Sequence, residues 1–219
     1  MRIDSLPDGS RGVDLNRPVT ADSAAAFVVK GFQFVVRYVT RTQTHGYDLS
    51  APELDTILNA GLGLQVVQHV APEGWNPTAE LGTQYGTTAA ADCGLLSIPD
   101  GMSLWCDLEG VAVGTDHEAV IGYCNAWYDA VAAHGYKPGL YVGWHCGLTA
   151  DELYHRLKFS GYWQSYNGNA DQTPVIRGYQ MRQHVAKPED LIPGFTNQDM
   201  DTDTITADAK GGTPSLVFA

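Results

Sequence analysis

The chain has 219 residues, of which 44% are hydrophobic and 10% aromatic, so it is long enough to bury a substantial core in one compact domain. Its formal net charge of -12, with no run of Lys or Arg, excludes binding to nucleic acid through the phosphates. The apolar stretches at 32–39 and 62–70 are far shorter than the roughly 20 residues of a membrane-spanning helix, so we expect no membrane span.

Strand-like and helix-like segments alternate along the chain, as they do when helices wrap a parallel sheet. Strands are predicted over residues 12–16, 33–39, 64–70, 102–109, 139–144, 161–166, 175–183 and 197–202. Helices are predicted over residues 21–30, 51–60, 115–134 and 150–158. Two of these helices begin with the spacing of a capping box, Ser50 with Glu53 and Thr149 with Glu152.

The number of predicted strands indicates the fold. Eight strands with intervening helices predict an α/β fold in which residues 1–219 form a single (β/α)8 TIM-like barrel domain, with some helices short or missing. A flavodoxin-like open sheet is the alternative, because the segment between Tyr166 and Val175 is too short for a full helix. No internal repeat or linker indicates a second domain.

The four cysteines are widely spaced along the chain, at Cys93, Cys106, Cys124 and Cys146. They show neither the CxxC pairs of zinc sites nor the density of a small disulfide-stabilised domain. We expect buried, reduced thiols, with a disulfide between two of them as the alternative.

Two acidic residues end the fourth predicted strand, in the segment Met102-Ser-Leu-Trp-Cys-Asp-Leu-Glu-Gly110. Because side chains alternate along a strand, Asp107 and Glu109 share a face with Trp105. The opposite face is apolar and suits packing against helices. In a barrel, the two carboxylates then point inward at the carboxyl end of the strand, where barrel enzymes carry their active sites. Paired carboxylates in unequal environments are the acid and base of glycoside hydrolysis.

Further acidic residues end the first and last predicted strands. Asp14 follows Gly12 and Val13 before Pro18 ends the first strand, and an acidic cluster that includes Asp199 and Asp201 lies in residues 197–203. The last strand of a closed barrel lies beside the first, so we expect three strands to bring carboxylates to one rim.

The spacing Asp199-x-Asp-x-Asp203 is similar to the start of a calcium-binding loop. However, Thr204 stands where the turn glycine belongs and Lys210 where the bidentate glutamate belongs, which excludes an EF-hand. The histidines form no zinc-binding motif. We therefore expect no metal and no cofactor, with a different calcium or magnesium site as the less favoured alternative.

Aromatic and amide side chains near strand ends complete a candidate sugar site. Flat rings stack on pyranose faces, and amides hydrogen-bond to sugar hydroxyl or amide groups. The candidate substrate-binding residues are Tyr38, Gln68, Tyr141, Trp144, Gln164, Tyr166, Gln180 and Asp201.

Taken in order, several short motifs resemble those of the Chalaropsis-type lysozymes of glycoside hydrolase family 25. They resemble still more closely the related glycoside-hydrolase-like domain of poorly characterised bacterial and phage proteins. The resemblance covers residues 12–203, and its motifs are Gly-Val-Asp at 12–14, Asp-Leu-Glu at 107–109, Tyr-Trp-Gln-Ser-Tyr at 162–166, Tyr-Gln-Met-Arg-Gln at 179–183 and Gln-Asp-Met-Asp at 198–201.

This resemblance implies roles for the acidic residues. Glu109 is the proton donor to the leaving oxygen, and Asp107 either stabilises positive charge at the reacting carbon or positions the 2-acetamido group of the substrate. Asp14 and Asp199 orient substrate or water. The chain departs from the family at 37–41, where Arg-Tyr-Val-Thr-Arg replaces Lys-Ala-Thr-Glu-Gly and leaves the substrate range open.

The resemblance implies a lysozyme-like hydrolase of an amino-sugar polymer, with peptidoglycan as the expected substrate. We expect the protein to be a monomer. Substrate assistance and direct attack by water both remain open as mechanisms. Two alternatives are a wall-binding barrel without turnover and, less favoured, a cation-dependent phosphodiesterase. The polar start at 1–12 has no apolar signal core, so we expect synthesis in the cytoplasm and action on the cell wall after lysis, export or injection.

Overall fold

The computed structural model describes residues 1–219, which form ten strands and five α-helices. The strands are β1 (Arg2–Asp4), β2 (Arg11–Leu15), β3 (Phe34–Val39), β4 (Gly63–Gln68), β5 (Ser103–Leu108), β6 (Lys137–Val142), β7 (Tyr162–Gln164), β8 (Met181–Val185), β9 (Met200–Ile205) and β10 (Leu216–Phe218). The helices are α1 (Ala21–Val29), α2 (Ala51–Asn59), α3 (Ala79–Leu95), α4 (His117–Ala133) and α5 (Ala150–His155).

Strands β2 to β9 form a closed eight-stranded barrel, because β4 pairs with β5 and β2 pairs with β9. The predicted barrel is thus confirmed, and the open flavodoxin-like sheet is wrong. The barrel differs from a regular (β/α)8 fold at its last strand. β2 to β8 run parallel, whereas β9 is antiparallel to both of its neighbours. No helix separates β8 from β9, and antiparallel neighbours need none.

The observed strands overlap all eight predicted ones, with the largest shift at the segment predicted as 175–183. Only Met181–Val185 is a strand there, and the chain before it turns through Ile176, which has a positive φ of 67°, and Gly178. The left-handed backbone at these two positions is incompatible with a strand, so β8 begins later than its apolar residues suggest.

Helix α3 is not predicted from the sequence, because its three glycines and three threonines are poor helix formers. Two of its glycines, Gly82 and Gly86, allow close contact with α4. A β-carbon at Gly82 would lie 2.2 Å from the carbonyl oxygen of Tyr123, and one at Gly86 would lie 2.8 Å from that of Trp127. The close approach of the two helices therefore outweighs the weak intrinsic preference of this segment for helix.

Of the two predicted capping boxes, one forms. Thr149 and Glu152 cap α5 reciprocally, as predicted. Ser50 makes no capping hydrogen bond at α2, so that prediction is wrong. Its partner Glu53 instead accepts a hydrogen bond of 2.6 Å from Nε of Arg37. Arg37 is fully buried on β3, and the need to neutralise its charge takes Glu53 away from the helix end.

The barrel wall separates two apolar layers. The larger layer lies between the strands and the helices, and the smaller one fills the barrel interior with rings such as Phe34, Trp105 and Trp163. Glycines on neighbouring strands make room for these rings. A β-carbon at Gly12 would lie 2.3 Å from the ring of Phe34, and one at Gly139 would lie 2.3 Å from the ring of Trp105. These close contacts show that the rings fill the barrel interior as a packed core.

The first and last strands close the end of the barrel opposite the carboxyl ends of β2 to β8. β1 pairs with β10, and β10 pairs with the first residues of β4. Leu216 enters the interior core, and Ser215 exchanges hydrogen bonds with Ser103 at the start of β5.

All four cysteines are buried and free, as predicted, and the alternative of a disulfide is wrong. Burial raises the pKa of each of these thiols, so they remain protonated inside the apolar layer. None of the helices combines the length and the hydrophobicity needed to cross a lipid bilayer.

Candidate active site

A cleft of about 210 Å³ opens at the carboxyl ends of the parallel strands. The reversed direction of β9 contributes residues to this cleft, because the first residues of β9 lie at the rim where the last residues of the other strands lie. The cleft contains four carboxylates and no Lys or Arg, and its lining residues are Asp14, Asn16, Tyr38, Glu109, Tyr141, Tyr166, Asn167, Gln183, Asn197, Gln198, Asp199, Met200 and Asp201.

Asp107 lies below this cleft and faces a second, deeper cavity of about 20 Å³ that Glu109, Tyr38 and Tyr141 also line. The alternation predicted for β5 is confirmed, since Trp105 belongs to the interior core. Asp107 is 4% exposed, and its Oδ1 has no hydrogen-bond partner. Burial raises the pKa of Asp107 well above its ordinary value, and the charge of Glu109 adds to this effect. A cavity of this size can hold about one small polar atom of a ligand.

Glu109 is half-buried and lines both cavities, directly above Asp107. Burial raises the pKa of its carboxyl, which favours the protonated form at higher pH than for a free glutamate. Its backbone carbonyl accepts a hydrogen bond of 2.8 Å from Nε1 of Trp75, which fixes the end of the strand. The pair thus consists of one enclosed and one accessible carboxyl.

Gly143, just after β6, makes room for Glu109. A β-carbon at this position would lie 2.4 Å from Cβ of Glu109 and 2.6 Å from its Oε2. We expect Gly143→Ala to displace the carboxyl of Glu109 and to lower any catalytic rate that depends on this carboxyl by about 10- to 100-fold, while the chain still folds. Gly46→Ala is the control, because nothing lies within 4 Å of a β-carbon there. Equal rates for the two variants would contradict the proposed contact.

Asp14 on β2 and Asp203 on β9 form a second carboxyl pair across the two neighbouring strands. Asp14 accepts a hydrogen bond of 3.0 Å from Nε2 of Gln183, and Asp203 accepts one of 2.9 Å from Nε1 of Trp163. Burial raises the pKa of Asp14 to about 6 and that of Asp203 well above its ordinary value. Asp201, at the cleft, has a pKa raised to about 7 by burial and by the charge of Asp14. Burial and mutual repulsion therefore favour a state in which Asp14 and Asp203 together carry one proton.

The raised pKa of Asp14 predicts a dependence of stability on pH. Its ordinary value is 3.8, so between about pH 4 and pH 6 the folded chain binds a proton that the unfolded chain has released. The bound proton stabilises the folded chain, and this stabilisation is fully present below about pH 4 and is lost as the pH rises through 6. We expect the free energy of unfolding to fall by roughly 2–3 kcal/mol more in the native chain than in Asp14→Asn between pH 4 and pH 7. Urea unfolding of both proteins at the two pH values measures this, and parallel curves would contradict it.

Tyr38 is held at the cleft by a histidine and aspartate pair behind it. Its ring stacks on His69, with the centroids 4.7 Å apart and the planes 15° from parallel. Nε2 of His69 contacts Oδ1 of Asp48, which is buried and also accepts a 3.0 Å hydrogen bond from Oγ1 of Thr40. This support fixes the ring position before any ligand binds.

The structure brings eight of the twelve predicted site residues together at the cleft or in the cavity below it. These are Asp14, Tyr38, Asp107, Glu109, Tyr141, Tyr166, Asp199 and Asp201. Asp199 is anchored at the rim, since its Oδ2 accepts a 2.9 Å hydrogen bond from the backbone N–H of Thr196 and its Oδ1 lies 3.6 Å from Arg17. These contacts lower its pKa, so Asp199 stays charged beside the cleft.

The other four predicted residues lie away from the cleft. Gln68 faces the helix layer and accepts a 2.5 Å hydrogen bond from Trp127, and Gln180 binds Asp208 at 2.9 Å. Gln164 accepts a hydrogen bond from Arg182. Trp144 is 39% exposed and stacks on His145, with centroids 3.7 Å apart. The strand alternation turns Gln68 and Gln164 away from the interior, whereas Gln180 comes before the start of β8.

Gln183 and Asp203 belong to the site but are not among the predicted site residues. Both follow from the alternation of their strands: Met181 and Gln183 share the interior face of β8, and Asp201 and Asp203 share that of β9. The register of β8 is not predicted, because a strand placed at 175–183 does not determine whether Gln180 or Gln183 faces inward.

No group of three or more His, Cys, Asp or Glu side chains is arranged to hold a metal ion. The site is thus defined by carboxyls, tyrosines and amides at the mouth of a barrel. This arrangement places the chain in the class of glycoside hydrolase-like barrels.

The family model of the Rv2525c-like, glycoside hydrolase-like domain matches residues 25–204, and the chain belongs to this family. Among curated proteins, no sequence matches it significantly.

Solved structures share the fold. The Mycobacterium tuberculosis Tat-secreted protein Rv2525c has a TM-score of 0.66 at 14% identity, over 90% of this chain and 95% of that one. The catalytic domain of endolysin ply40 from bacteriophage P40 of Listeria monocytogenes has a TM-score of 0.61 at 19% identity, over 91% and 94%. The bacterial lysozyme from Streptomyces coelicolor has a TM-score of 0.58 at 15% identity, over 94% and 95%.

Proposed function

We propose that the protein is a glycoside hydrolase that cleaves an amino-sugar polymer, with peptidoglycan as its substrate. The observation that carries this proposal is the pair of Asp107 and Glu109, which both line the deep cavity in unequal environments, with Glu109 also lining the cleft. Glu109 is accessible from the cleft, whereas Asp107 is enclosed with one oxygen unpartnered. In such a pair, one carboxyl can act as the general acid while the other stabilises charge.

In this proposal Glu109 donates its proton to the leaving glycosidic oxygen. Its raised pKa keeps a fraction of the carboxyls protonated toward neutral pH, and its position at the cleft lets the proton reach a bound sugar. Asp107 acts from below. Its free Oδ1 can stabilise the developing positive charge at the reacting carbon, or it can accept a hydrogen bond from the N–H of a 2-acetamido group. Both roles fit a ligand atom in the deep cavity.

The remaining lining groups suit a sugar. Tyr166 is 53% exposed at the rim and Tyr141 is buried at the base, so their rings offer both a stacking surface and an anchored wall. Asp14 and Asp199 orient substrate or water. The cleft volume of about 210 Å³ is below the roughly 300–1,000 Å³ of common ligand pockets, which fits the binding of one unit of a chain at a time.

The structural neighbours support a cell-wall polysaccharide as substrate, since an endolysin domain and a lysozyme have the same fold. A second candidate function is a wall-binding barrel without turnover. The enclosure of Asp107 favours it, because burial disfavours the charged carboxylate that would stabilise a cationic centre.

Incubation of the purified chain with insoluble bacterial cell walls distinguishes these functions. We expect new reducing ends in the supernatant, at a rate that a chelator does not change. Co-sedimentation with the walls without release of reducing ends would favour the binding module. Loss of activity with the chelator would favour a cation-dependent phosphodiesterase, for which a phosphodiester substrate is the matching positive control.

A further inference from the structure

We infer that Gln183 is a positioning residue of this site: it holds the negative charge on Asp14, at the cleft, and leaves the shared proton on Asp203 behind it. This inference rests on the proposed function and adds a residue to it. Gln183 touches the cleft but acts through Asp14, whose carboxylate orients substrate or water.

The hydrogen bonds of Gln183 determine which way its amide points. Oε1 accepts from the hydroxyl of Tyr141 at 2.9 Å and from the backbone N–H of Tyr166 at 3.3 Å. The N–H of Tyr166 can only donate, so the amide oxygen must face it. Nε2 is thereby directed at Oδ2 of Asp14, at 3.0 Å.

The reverse orientation is excluded by the same partners. It would set Nε2 against the N–H of Tyr166 and set Oε1 against the carboxylate of Asp14. One contact would then face two donors toward each other and the other would face two acceptors toward each other. Because the side chain is only 8% exposed, several polar groups would be left without a hydrogen bond. The amide is therefore locked as a donor to Asp14 and favours the ionised form of that carboxyl.

Asp203 is the partner suited to hold the proton. It is 1% exposed, its Oδ1 accepts from Trp163, and its Oδ2 has no donor facing it. A proton on Asp203 can be donated to Asp14, the carboxyl beside it, and this contact raises the pKa of Asp203 while it lowers that of Asp14. The two carboxyls have different roles because only Asp14 receives a donor from Gln183.

Asp14 also faces other titratable groups across the barrel, and each contributes to its titration. Asp201 and Asp203 face it from β9, Glu109 and Asp107 from β5, and Tyr38 from β3. Oδ2 of Asp14 receives its amide hydrogen bond from Gln183 alone. The loss of Gln183 therefore has a distinct signature, an upward shift in the pKa of Asp14.

Carboxyl ¹³C NMR titration of the full chain tests this directly. We expect Gln183→Leu to raise the titration midpoint of Asp14 and to move the acid side of the kcat/KM profile on cell walls to higher pH. We also expect kcat/KM to fall by about tenfold or more, the size expected for the loss of one hydrogen bond to a charged group. Gln183→Glu keeps the shape of the side chain and should shift the midpoint upward as well, through like-charge repulsion.

Gln65→Leu is the matched control. Gln65 is also a fully buried glutamine inside the barrel, but its side chain accepts from Trp105 below the cleft. We expect it to lower stability without a shift in the Asp14 midpoint. An unchanged midpoint in both Gln183 variants would overturn the inference. Absence of hydrolysis by the native chain would overturn only the proposed function, because the NMR titration needs no turnover.

Discussion

Replacement of Glu109 by Gln is expected to lower kcat/KM for the release of reducing ends from cell walls by about 10²–10⁴, the usual contribution of a general acid. The amide has nearly the same shape but no proton to deliver at the position where Glu109 lines the cleft. Measurement of initial rates at a fixed wall concentration, over a range of enzyme concentrations, gives the ratio.

Stability measurements separate this effect from misfolding. Burial disfavours the charged form of Glu109, so the neutral glutamine should leave the midpoint of urea unfolding unchanged or raise it. Wall binding by co-sedimentation should also persist. Full activity of Glu109→Ala would remove this residue from the mechanism.

Gly82→Ala is expected to have the largest effect on stability among single-methyl additions to α3. The new methyl would lie 2.2 Å from the carbonyl oxygen of Tyr123, which is backbone and cannot rotate away. Overpacking of this kind lowers the free energy of unfolding by about 1–3 kcal/mol, and we expect the upper part of that range.

The same helix offers a matched control at Gly94, where nothing lies within 4 Å of an added β-carbon. Gly94→Ala should raise the free energy of unfolding by up to about 1 kcal/mol, because alanine is the better helix former. Urea unfolding with unchanged slopes compares the two variants. Similar effects of the two substitutions would show that the α3–α4 contact is less tight than its geometry indicates.

The sequence predicts the barrel well because its strands carry the apolar alternation of a two-layer fold. Tertiary contacts decide the parts that it does not predict. Helix α3 contains three glycines and three threonines, which disfavour helix, and the carbonyls of α4 explain two of its glycines, Gly82 and Gly86. Glu53 has the spacing of a cap, but the buried guanidinium of Arg37 requires its charge. Neither requirement is local in the sequence.

The candidate site follows the same division. Alternation on β5 correctly predicts that Asp107 and Glu109 face one side, since a strand of known register fixes every second side chain. The glutamines are harder, because a shift in register turns a side chain from the cleft to the helix layer. Gln180 and Gln183 are three residues apart, and only the observed start of β8 assigns the interior face to Gln183.

The strands that close the base of the barrel give the protein a ring-like connectivity. Arg2 pairs with Phe218, so residues 2 and 218 are neighbours in the folded state. A covalent link between them would restrict the unfolded chain alone and leave every strand pairing intact. The order of elements could then be permuted, with new ends in the exposed loop at 42–46, and the same barrel should result.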